Sequence, residues 1–478
     1  MTNKPFIIFL ILVIGTLACS LTAEAPPTIP PRTPMSTITP QGPVEPAATV
    51  LQPSPLPDSG GVPTQGPPAL PTGITPQVPT NPTLLAQLEL VESNRLLNTV
   101  DALVTFQNRH AMSEPSPSKG VYAARDYLLA EFYKIQTEHP EARIGVFPHQ
   151  FSFPFNGGDV LADNVVMFIN GTDGEAGIIM IGAHYDTVAS ADITNGTSYQ
   201  PGANDNGSGV AVVLELARIL AEQPHRATIM FVLFAGEELG KYGSNAFLTD
   251  YIQANNIQLK AMLNLDIVGS PTGPNGERYD NQMRVYSAPP NESVSRQMAR
   301  QIEFASQYFV QDMTVNVQKT IDRPGRWSDH ETFSEAGFPA IRLIEQEDDA
   351  SRTHNTRDNT DDIDGAYMRR VTQVTLASLL ILADGPNAPT NISIDTTNWR
   401  MEWLPSRGAT RYLIALRYPG SLVYDQVIPS QVTSFTWPGL SNFEAFAVAA
   451  IDEKGQIGAF SPECIIPVGS GVSGNFSC

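Results

Sequence analysis

The sequence predicts an α/β fold, in which a mixed, mostly parallel sheet is covered by helices on both faces and followed by a small all-β sandwich. Two observations carry this prediction. In the middle of the chain, apolar runs of strand length alternate with stretches of helical spacing, and nearer the C-terminus short alternating runs replace them. Strands that are apolar along their whole length are typical of a parallel sheet buried on both faces. We therefore expect an α/β domain over residues 84–385 and a sandwich over residues 386–478.

The α/β domain opens with helical spacing near Leu84, which recurs in the stretch GVYAARDYLLAEFYKIQ. Further helices are predicted over 207–223 and 292–309. The apolar runs that predict strands are 163–169, 177–186, 228–236, 260–269 and 339–345. In an open parallel sheet the carboxyl ends of such strands meet at one edge, where ligands bind.

The pattern changes after residue 385 to short alternating runs, among them RYLIALRYPG and FEAFAVAAIDEKGQIGAFS. Such runs are typical of the strands of a small antiparallel sandwich. Trp403 in an early run and Gly408-Ala409 before the run of Tyr412 resemble a fibronectin type III domain.

The chain has three cysteines, Cys19, Cys464 and Cys478. If Cys19 carries a lipid, the other two lie close enough in sequence to close a short terminal loop as a disulfide. The alternative is three unpaired thiols in a cytosolic protein. That alternative conflicts with the N-terminal segment.

Residues 1–25 have the pattern of a secretory signal peptide. Lys4 precedes an apolar stretch from Phe6 to Val13, which is too short to span a bilayer. The segment TLAC, ending at Cys19, resembles a bacterial lipobox, with Thr16 in place of the usual leucine; in a lipobox the cysteine is lipidated and becomes the mature N-terminus. Ordinary cleavage after residue 25 is the alternative. We expect an extracellular or cell-surface protein that contacts a membrane only through a lipid on Cys19.

Residues 26–83 are rich in proline and threonine and have almost no charge and no apolar periodicity. Such a composition cannot offset the entropy lost on ordering the chain. A disordered stalk of polyproline character is therefore expected to separate the anchor from the α/β domain.

The overall composition excludes one class of partner. The 478 residues, 42% of them hydrophobic, suffice for two or three domains of ordinary size. A net charge of -20 argues against binding to a phosphate backbone, so nucleic acid is not expected as a partner. The composition predicts no oligomeric state.

Polar side chains follow three of the predicted strands. His184 and Asp186 come after GIIMIGA, Glu237 and Glu238 after TIMFVLFAG, and Asp266 after AMLNL. Because these strand ends meet at one edge of the sheet, unpaired carboxylates there would repel one another unless a cation lay between them. The pattern therefore predicts a metal site.

Two further segments extend this site. Asp205 lies in GANDNGSGV, just before the helix that starts near Ser208. By itself it has the position of a helix N-cap, but beside the other carboxylates it becomes a candidate ligand. His354 lies in the acidic loop after the last predicted strand and is the fifth candidate.

The ordered series HYD, GANDNGSG, GEE, NLD, SDH and a late histidine resembles the two-zinc exopeptidase family of bacterial leucyl aminopeptidases, aminopeptidase Y and glutamate carboxypeptidase II. The resemblance covers about residues 94–384. It implies two zinc ions per domain, and zinc is a metal that nitrogen and oxygen ligands commonly bind. It also assigns the ligands: one pair holds each zinc and one carboxylate bridges both. These are His184 and Asp266 for the first zinc, Glu238 and His354 for the second, and Asp205 between them.

The resemblance implies roles for other residues of the site. Asp186 would hold the second ring nitrogen of His184, and Glu237 would be the general base that takes a proton from the attacking water. The alternatives are a solvating acid for Asp186 and a salt-bridge partner for Glu237. Asp329 or His330 of the SDH element is expected beside the ligands or the substrate. Thr353 stands where some relatives have a tyrosine that steadies the tetrahedral intermediate, so that partner stays open. The remaining histidines are expected to be ordinary surface residues: His110, His139, His149 and His225.

The function predicted from these features is a secreted or surface-anchored aminopeptidase that acts on peptides. A carboxypeptidase or dipeptidase on the same scaffold is the first alternative, because the metal site does not select which end of a peptide enters. A single-zinc glutaminyl cyclase and a ligand-deficient binding module fit less well, since the full ligand set is present. An adhesion protein would explain the stalk and the sandwich but not the site.

Overall fold

The computed structural model of the protein describes residue 78, residues 80–467 and residues 473–478. The predicted signal peptide, Cys19 and nearly all of the predicted stalk lie outside this described part. Within it, no helix has both the length and the apolar character needed to cross a membrane.

Eight strands form the main sheet. Their bounds are β1 Ile144–Phe155, β2 Gly158–Ile169, β3 Ile178–His184, β4 Thr228–Phe234, β5 Leu259–Leu265, β6 Gln282–Ser287, β7 Thr314–Val317 and β8 Ala340–Glu345. Their order across the sheet is β1-β2-β4-β3-β5-β8-β6-β7. The pairs β3–β4, β3–β5, β5–β8 and β6–β7 are parallel, and the other three are antiparallel. The prediction of a mixed, mostly parallel sheet is confirmed.

Helices cover both faces of this sheet, as the sequence predicts. Their bounds are α1 Pro82–Leu88, α2 Ser93–Val104, α3 Gly120–Glu138, α4 Gly209–Leu220, α5 Tyr242–Phe247, α6 Val294–Phe309, α7 His330–Glu335 and α8 Gly365–Asp384. Successive strand residues point to opposite faces. In β3, Ile179 and Ile181 join the large core formed with α1–α4, α6 and α8, whereas Met180 joins the smaller core of the opposite face with α5 and α7.

Local sequence explains where three of these helices begin. Asn81 accepts a hydrogen bond from the Leu84 N–H and precedes Pro82, whose fixed φ suits the first helical position. Ser293 caps α6 and Asp364 caps α8 in the same way. These caps satisfy N–H groups that lack a partner inside the helix.

The C-terminal region forms two four-stranded antiparallel sheets. Its strands are β9 Thr390–Asp395, β10 Arg400–Leu404, β11 Arg411–Arg417, β12 Gln426–Ser430, β13 Ser434–Thr436, β14 Ala445–Ile451, β15 Cys464–Ile465 and β16 Asn475–Ser477. One sheet has the order β13-β10-β9-β16 and the other β12-β11-β14-β15. Cys464 and Cys478 form a disulfide with a Cα–Cα distance of 5.0 Å. The predicted small all-β part is therefore present, while its assignment to fibronectin type III stays a prediction.

The sheet that contains β11 and β14 is buried on both faces. Ile414 and Val448 pack into the core of the sandwich, whereas Leu413 and Ala449 join the core of the α/β domain. A buried ion-pair network reinforces this contact, because Glu463 binds both Arg417 and Arg300 of α6. The described residues accordingly belong to one compact unit.

Two histidines expected at the surface are buried, so that prediction was wrong for them. The His110 ring contacts the Ile193 carbonyl, and the His225 ring lies between the Asp384 carboxylate and the Leu220 carbonyl. The partners of these two buried histidines are not their neighbours in the sequence, so the spacing of residues along the chain does not reveal the contacts.

Candidate metal centre

The five candidate ligands come from the ends of neighbouring strands and from the loops beside them. His184 is the last residue of β3, and Asp266 directly follows β5. Glu238 lies in the turn after β4, and His354 lies in the loop after β8. Since β3, β4, β5 and β8 are parallel, these positions share one edge of the sheet.

Asp205 reaches the same edge from the turn that precedes α4. The neighbouring Asn206 makes the capping contact, since its Oδ1 accepts from the Gly209 N–H at 3.0 Å and its Nδ2 donates to the Leu265 carbonyl at 2.8 Å. Gly209 permits this close packing, because a Cβ there would lie 2.5 Å from the Leu265 oxygen. Capping by Asn206 leaves the Asp205 carboxylate free for another role.

The side chains form two groups that share Asp205. In the first, His184 Nε2 lies 3.2 Å from Asp205 Oδ1 and 3.6 Å from Asp266 Oδ1. In the second, His354 Nε2 lies 3.2 Å from Asp205 Oδ2 and 2.7 Å from Glu238 Oε2. Within each group the ligand atoms lie within 4.8 Å of one another. The structure thus brings together all five predicted ligands, in the predicted pairs.

The donor set fits divalent cations. Three carboxylates meet in a buried place, and burial together with Asp205 raises the pKa of Glu238 to about 7. Glu238 Oε1 and Asp266 Oδ1 have no hydrogen-bond partner in the described part of the chain, although buried oxygens normally have one. A cation in each group would satisfy these oxygens and remove the repulsion, and mixed nitrogen and oxygen donors suit zinc.

Asp186 holds the turn that carries the two glutamates. Its Oδ1 accepts from the Glu237 N–H at 3.1 Å and its Oδ2 from the Glu238 N–H at 3.3 Å. The ring Nδ1 of His184 lies 3.7 Å from Asp186 Oδ1 and 3.3 Å from the Asp186 carbonyl. The structure therefore adds a role to the predicted one: this buried carboxylate fixes the glutamates more directly than it fixes the imidazole.

Glu237 faces the cleft beside the ligands, and burial raises the pKa of its carboxyl. Among the described residues, no cation forms an ion pair with it within 4.0 Å. The alternative role of Glu237, that of a salt-bridge partner, is therefore not supported by the described structure.

The residues of the SDH element belong to neither ligand group and do not line the cleft. His330 is fully buried, its Nε2 contacts the Ile321 carbonyl at 2.9 Å, and burial lowers its pKa to about 4. Asp329 is also buried, and burial raises its pKa to about 7. Ser328 accepts a hydrogen bond from Asn264 in β5. These contacts support the strand end that carries Asp266.

Three further residues position the ligands and were not predicted. The Asp358 carboxylate accepts from the N–H groups of Asn204 and Asp205, at 2.7 and 3.0 Å. The buried Arg109 donates to the carbonyls before this loop and after β3, and Arg342 pairs with Asp266 Oδ2 at 3.0 Å. The one signal in the sequence was Arg342, a charged residue inside an apolar strand run.

The two ligand groups line an open cleft of about 260 Å³. The cleft is also lined by Gly325, Arg326 and Trp327 of the loop before α7, together with Lys241. The cleft is therefore large enough for an amino-acid side chain with part of the adjoining backbone.

Comparison with known proteins identifies the family of this chain. Residues 164–379 match the model of peptidase family M28. A probable zinc metalloprotease of Leptosphaeria maculans is 32% identical over 359 residues, which are 67% of this chain and 82% of that protein. A probable zinc metalloprotease of Pyricularia oryzae is 31% identical over 440 residues, 81% of this chain and 86% of that protein. The crystal structure of the LapA aminopeptidase of Legionella pneumophila has a TM-score of 0.53 at 21% identity, covering 66% of this chain and 78% of that one, and shares the fold.

Proposed function

The chain belongs to peptidase family M28 and is a zinc-dependent peptidase, and from this premise we propose that it uses two zinc ions to remove residues from the N-terminus of peptides. The observation that carries the proposal is the pair of ligand groups joined by Asp205. One carboxylate with an oxygen directed at each group is the arrangement that two neighbouring cations require. The resemblance to zinc-dependent peptidases drawn from the motifs is confirmed at this level.

The chemistry proposed for the site is hydrolysis by water. Zinc ions held by the two ligand groups would supply Lewis acidity toward the scissile carbonyl and toward a water molecule. Glu237, which has no ion-pair partner in the described structure, takes the proton of that water and passes it to the leaving amine. Asp186 holds the backbone of Glu237 in place. The raised pKa of Glu237 suits a group that must both accept and return a proton.

The metal site does not select which end of the peptide enters, and our choice of the N-terminus rests on the resemblance to bacterial leucyl aminopeptidases. A carboxypeptidase is the second candidate. It is favoured by Arg326, a partly exposed cationic side chain on the cleft wall. Peptides with a free or acetylated N-terminus, and with a free or amidated C-terminus, distinguish the two, because each activity is lost when its own end is blocked.

Metal content and turnover test the mechanism together. We expect a chelator to abolish hydrolysis of leucine p-nitroanilide and added zinc to restore it, with two zinc ions per chain measured by mass spectrometry. Glu237→Ala should keep both zinc ions and lose turnover by several orders of magnitude, since a general base contributes about 10²–10⁴-fold. The matched control is Glu347→Ala, because Glu347 is exposed and lies in neither ligand group. Full activity of Glu237→Ala would reject the assigned base.

We further propose that the protein is exported and held at the cell surface by a lipid on Cys19. The support is the signal-like segment 1–25 and the lipobox-like TLAC. Cys19→Ser should move the full-length protein from the membrane fraction to the medium. An unchanged distribution would contradict the lipid anchor.

A further inference from the structure

The charged residues on the cleft wall that are neither predicted ligands nor the predicted base are all cationic. They are Lys241, Arg326 and Arg342. Whether such residues attract an anionic group depends on how far other carboxylates already neutralise them. The contacts of each side chain decide this.

Two of the three cations are fully paired. Lys241 forms an ion pair with Glu331, and its Nζ also lies 5.6 Å from the ring centre of Trp327. Arg342 binds Asp266 Oδ2 at 3.0 Å and Asp322 Oδ2 at 2.8 Å. Neither cation has charge left for a ligand.

Arg326 differs from them. Its one ion pair in the described structure is a 3.5 Å contact with Asp348 Oδ2, which is long for a hydrogen bond. Asp348 also accepts from Arg284 at 2.9 Å and pairs with Arg323. One carboxylate cannot neutralise three guanidinium groups. The side chain of Arg326 is 32% exposed and lines the cleft, so its donors are free to bind a ligand.

The residue after Arg326 shapes the same wall. Trp327 lines the cleft and is half exposed. Contact between its large aromatic ring and a bound ligand would remove apolar surface from water and so stabilise the complex. An ion pair formed against an apolar wall is stronger than one in open water, because water is excluded on one side. Arg326 and Trp327 together therefore offer one charged and one apolar contact.

We propose that Arg326, beside Trp327, forms a subsite for a carboxylate that the peptide carries next to the scissile bond. A guanidinium group binds a carboxylate through two parallel hydrogen bonds, a geometry that an amide cannot match. The carboxylate comes either from an acidic side chain or from the free C-terminus of a short peptide. This inference rests on the proposed peptidase function and adds the substrate class to it.

Matched substrate pairs test the subsite. One pair is the p-nitroanilides of glutamate and glutamine, a second is Leu-Glu-amide and Leu-Gln-amide, and a third is Leu-Leu with a free and an amidated C-terminus. Each pair differs by one carboxylate of nearly the same shape. We expect the zinc-loaded full chain to prefer the carboxylate in at least one pair by roughly 10- to 100-fold in kcat/KM, as expected for a charged hydrogen bond. The pair that shows the preference identifies the source of the carboxylate.

Variants connect the preference to Arg326. Arg326→Gln should bring the kcat/KM ratio of the preferred pair to about one, and Arg326→Lys should retain part of it because the charge remains. Arg400→Gln is the control, since Arg400 is an exposed arginine of the C-terminal sandwich and does not line the cleft. It should leave the ratio unchanged.

Two results would overturn the subsite: the absence of a preference in all three pairs, or a preference that Arg326→Gln retains. An equal loss of activity on both members of a pair leaves the ratio unchanged and counts as the second result. Failure of the proposed function differs from both. A carboxypeptidase would cleave Leu-Leu with a free C-terminus but neither the p-nitroanilides nor the amides, and a chain without peptidase activity would hydrolyse none of the substrates in a zinc-dependent way.

Discussion

Asp186→Asn would perturb the turn that carries the proposed base. In the structure, the two Asp186 oxygens accept from the N–H groups of Glu237 and Glu238, at 3.1 and 3.3 Å, and the residue is fully buried. Asparagine has the same shape but one acceptor oxygen, so its NH₂ group would face one of these N–H groups. One buried backbone donor is then left without a partner.

The size of the effect follows from that lost bond. A buried donor left unsatisfied costs about 1–3 kcal/mol, and the remaining bond also weakens because the charge of the acceptor is gone. We expect the free energy of unfolding to fall by about 2 kcal/mol. Turnover should fall at least tenfold, because the backbone of Glu237 loses its anchor and a displaced catalytic group is costly. At saturating zinc the zinc content should stay at the wild-type value, since Asp186 is in neither ligand group.

The assay combines urea unfolding, zinc content and kcat. Asp364→Ala is the control, because Asp364 also accepts from two backbone N–H groups, at the start of α8, and lies in neither ligand group. It should lose about 1 kcal/mol as a helix cap and keep its kcat. If Asp186→Asn kept both wild-type stability and wild-type kcat, the residue would be only a solvating acid. If the two variants lost kcat equally, the effect would be one of stability.

Three further predictions concern stability and metal affinity. Burial, with help from Asp425, raises the pKa of Glu303 to about 7, so the folded chain holds this proton more tightly than the unfolded chain. The stabilisation is complete below about pH 4.5 and is lost as the pH rises through 7; Glu303→Gln should therefore be more stable than the wild type at pH 8, by about 1–3 kcal/mol in urea unfolding, and equal stability there would refute this. Cys464→Ser opens the terminal loop to Cys478 and should lower the free energy of unfolding by about 2–4 kcal/mol, a difference that must vanish when both proteins are reduced. Asp358→Asn removes an acceptor for the loop before α4 and should weaken zinc binding about 10- to 100-fold in a chelator competition, whereas unchanged affinity would reject that role.

Three of the five ligands were predictable because each lies at a point where an apolar run of the sequence ends in a polar residue. An apolar run that ends in a histidine or a carboxylate predicts a strand end, and parallel strands bring their ends together without any knowledge of side-chain contacts. His184, Glu238 and Asp266 follow from this rule. Asp205 and His354 needed the motif series, because a residue in a turn or a long loop has no periodicity that places it.

The supporting residues were not predictable for a different reason. Asp358 and Arg109 bind backbone atoms of loops that are far away in sequence, and any acidic or basic residue in a polar segment looks the same before folding. Asp205 does not cap α4, because its neighbour Asn206 accepts the hydrogen bond from the helix N-terminus instead. The shared core between the two regions was not predicted, although β14 is apolar along its whole length, which is typical of a strand buried on both faces.

The two ligand groups differ in how rigidly the fold holds their side chains. His184, Asp205 and Asp266 are at most 6% exposed and lie at two strand ends and a helix start. His354 is 32% exposed, lies on a loop in a left-handed backbone conformation with φ 59°, and is held there by the Ser190 N–H on its carbonyl. Because preorganised ligands lose less entropy on binding a cation, the group of His184 should bind zinc more tightly than the group of His354. We therefore expect the zinc held by Glu238 and His354 to leave first during slow chelation, and the peptidase to stop when one zinc ion still remains.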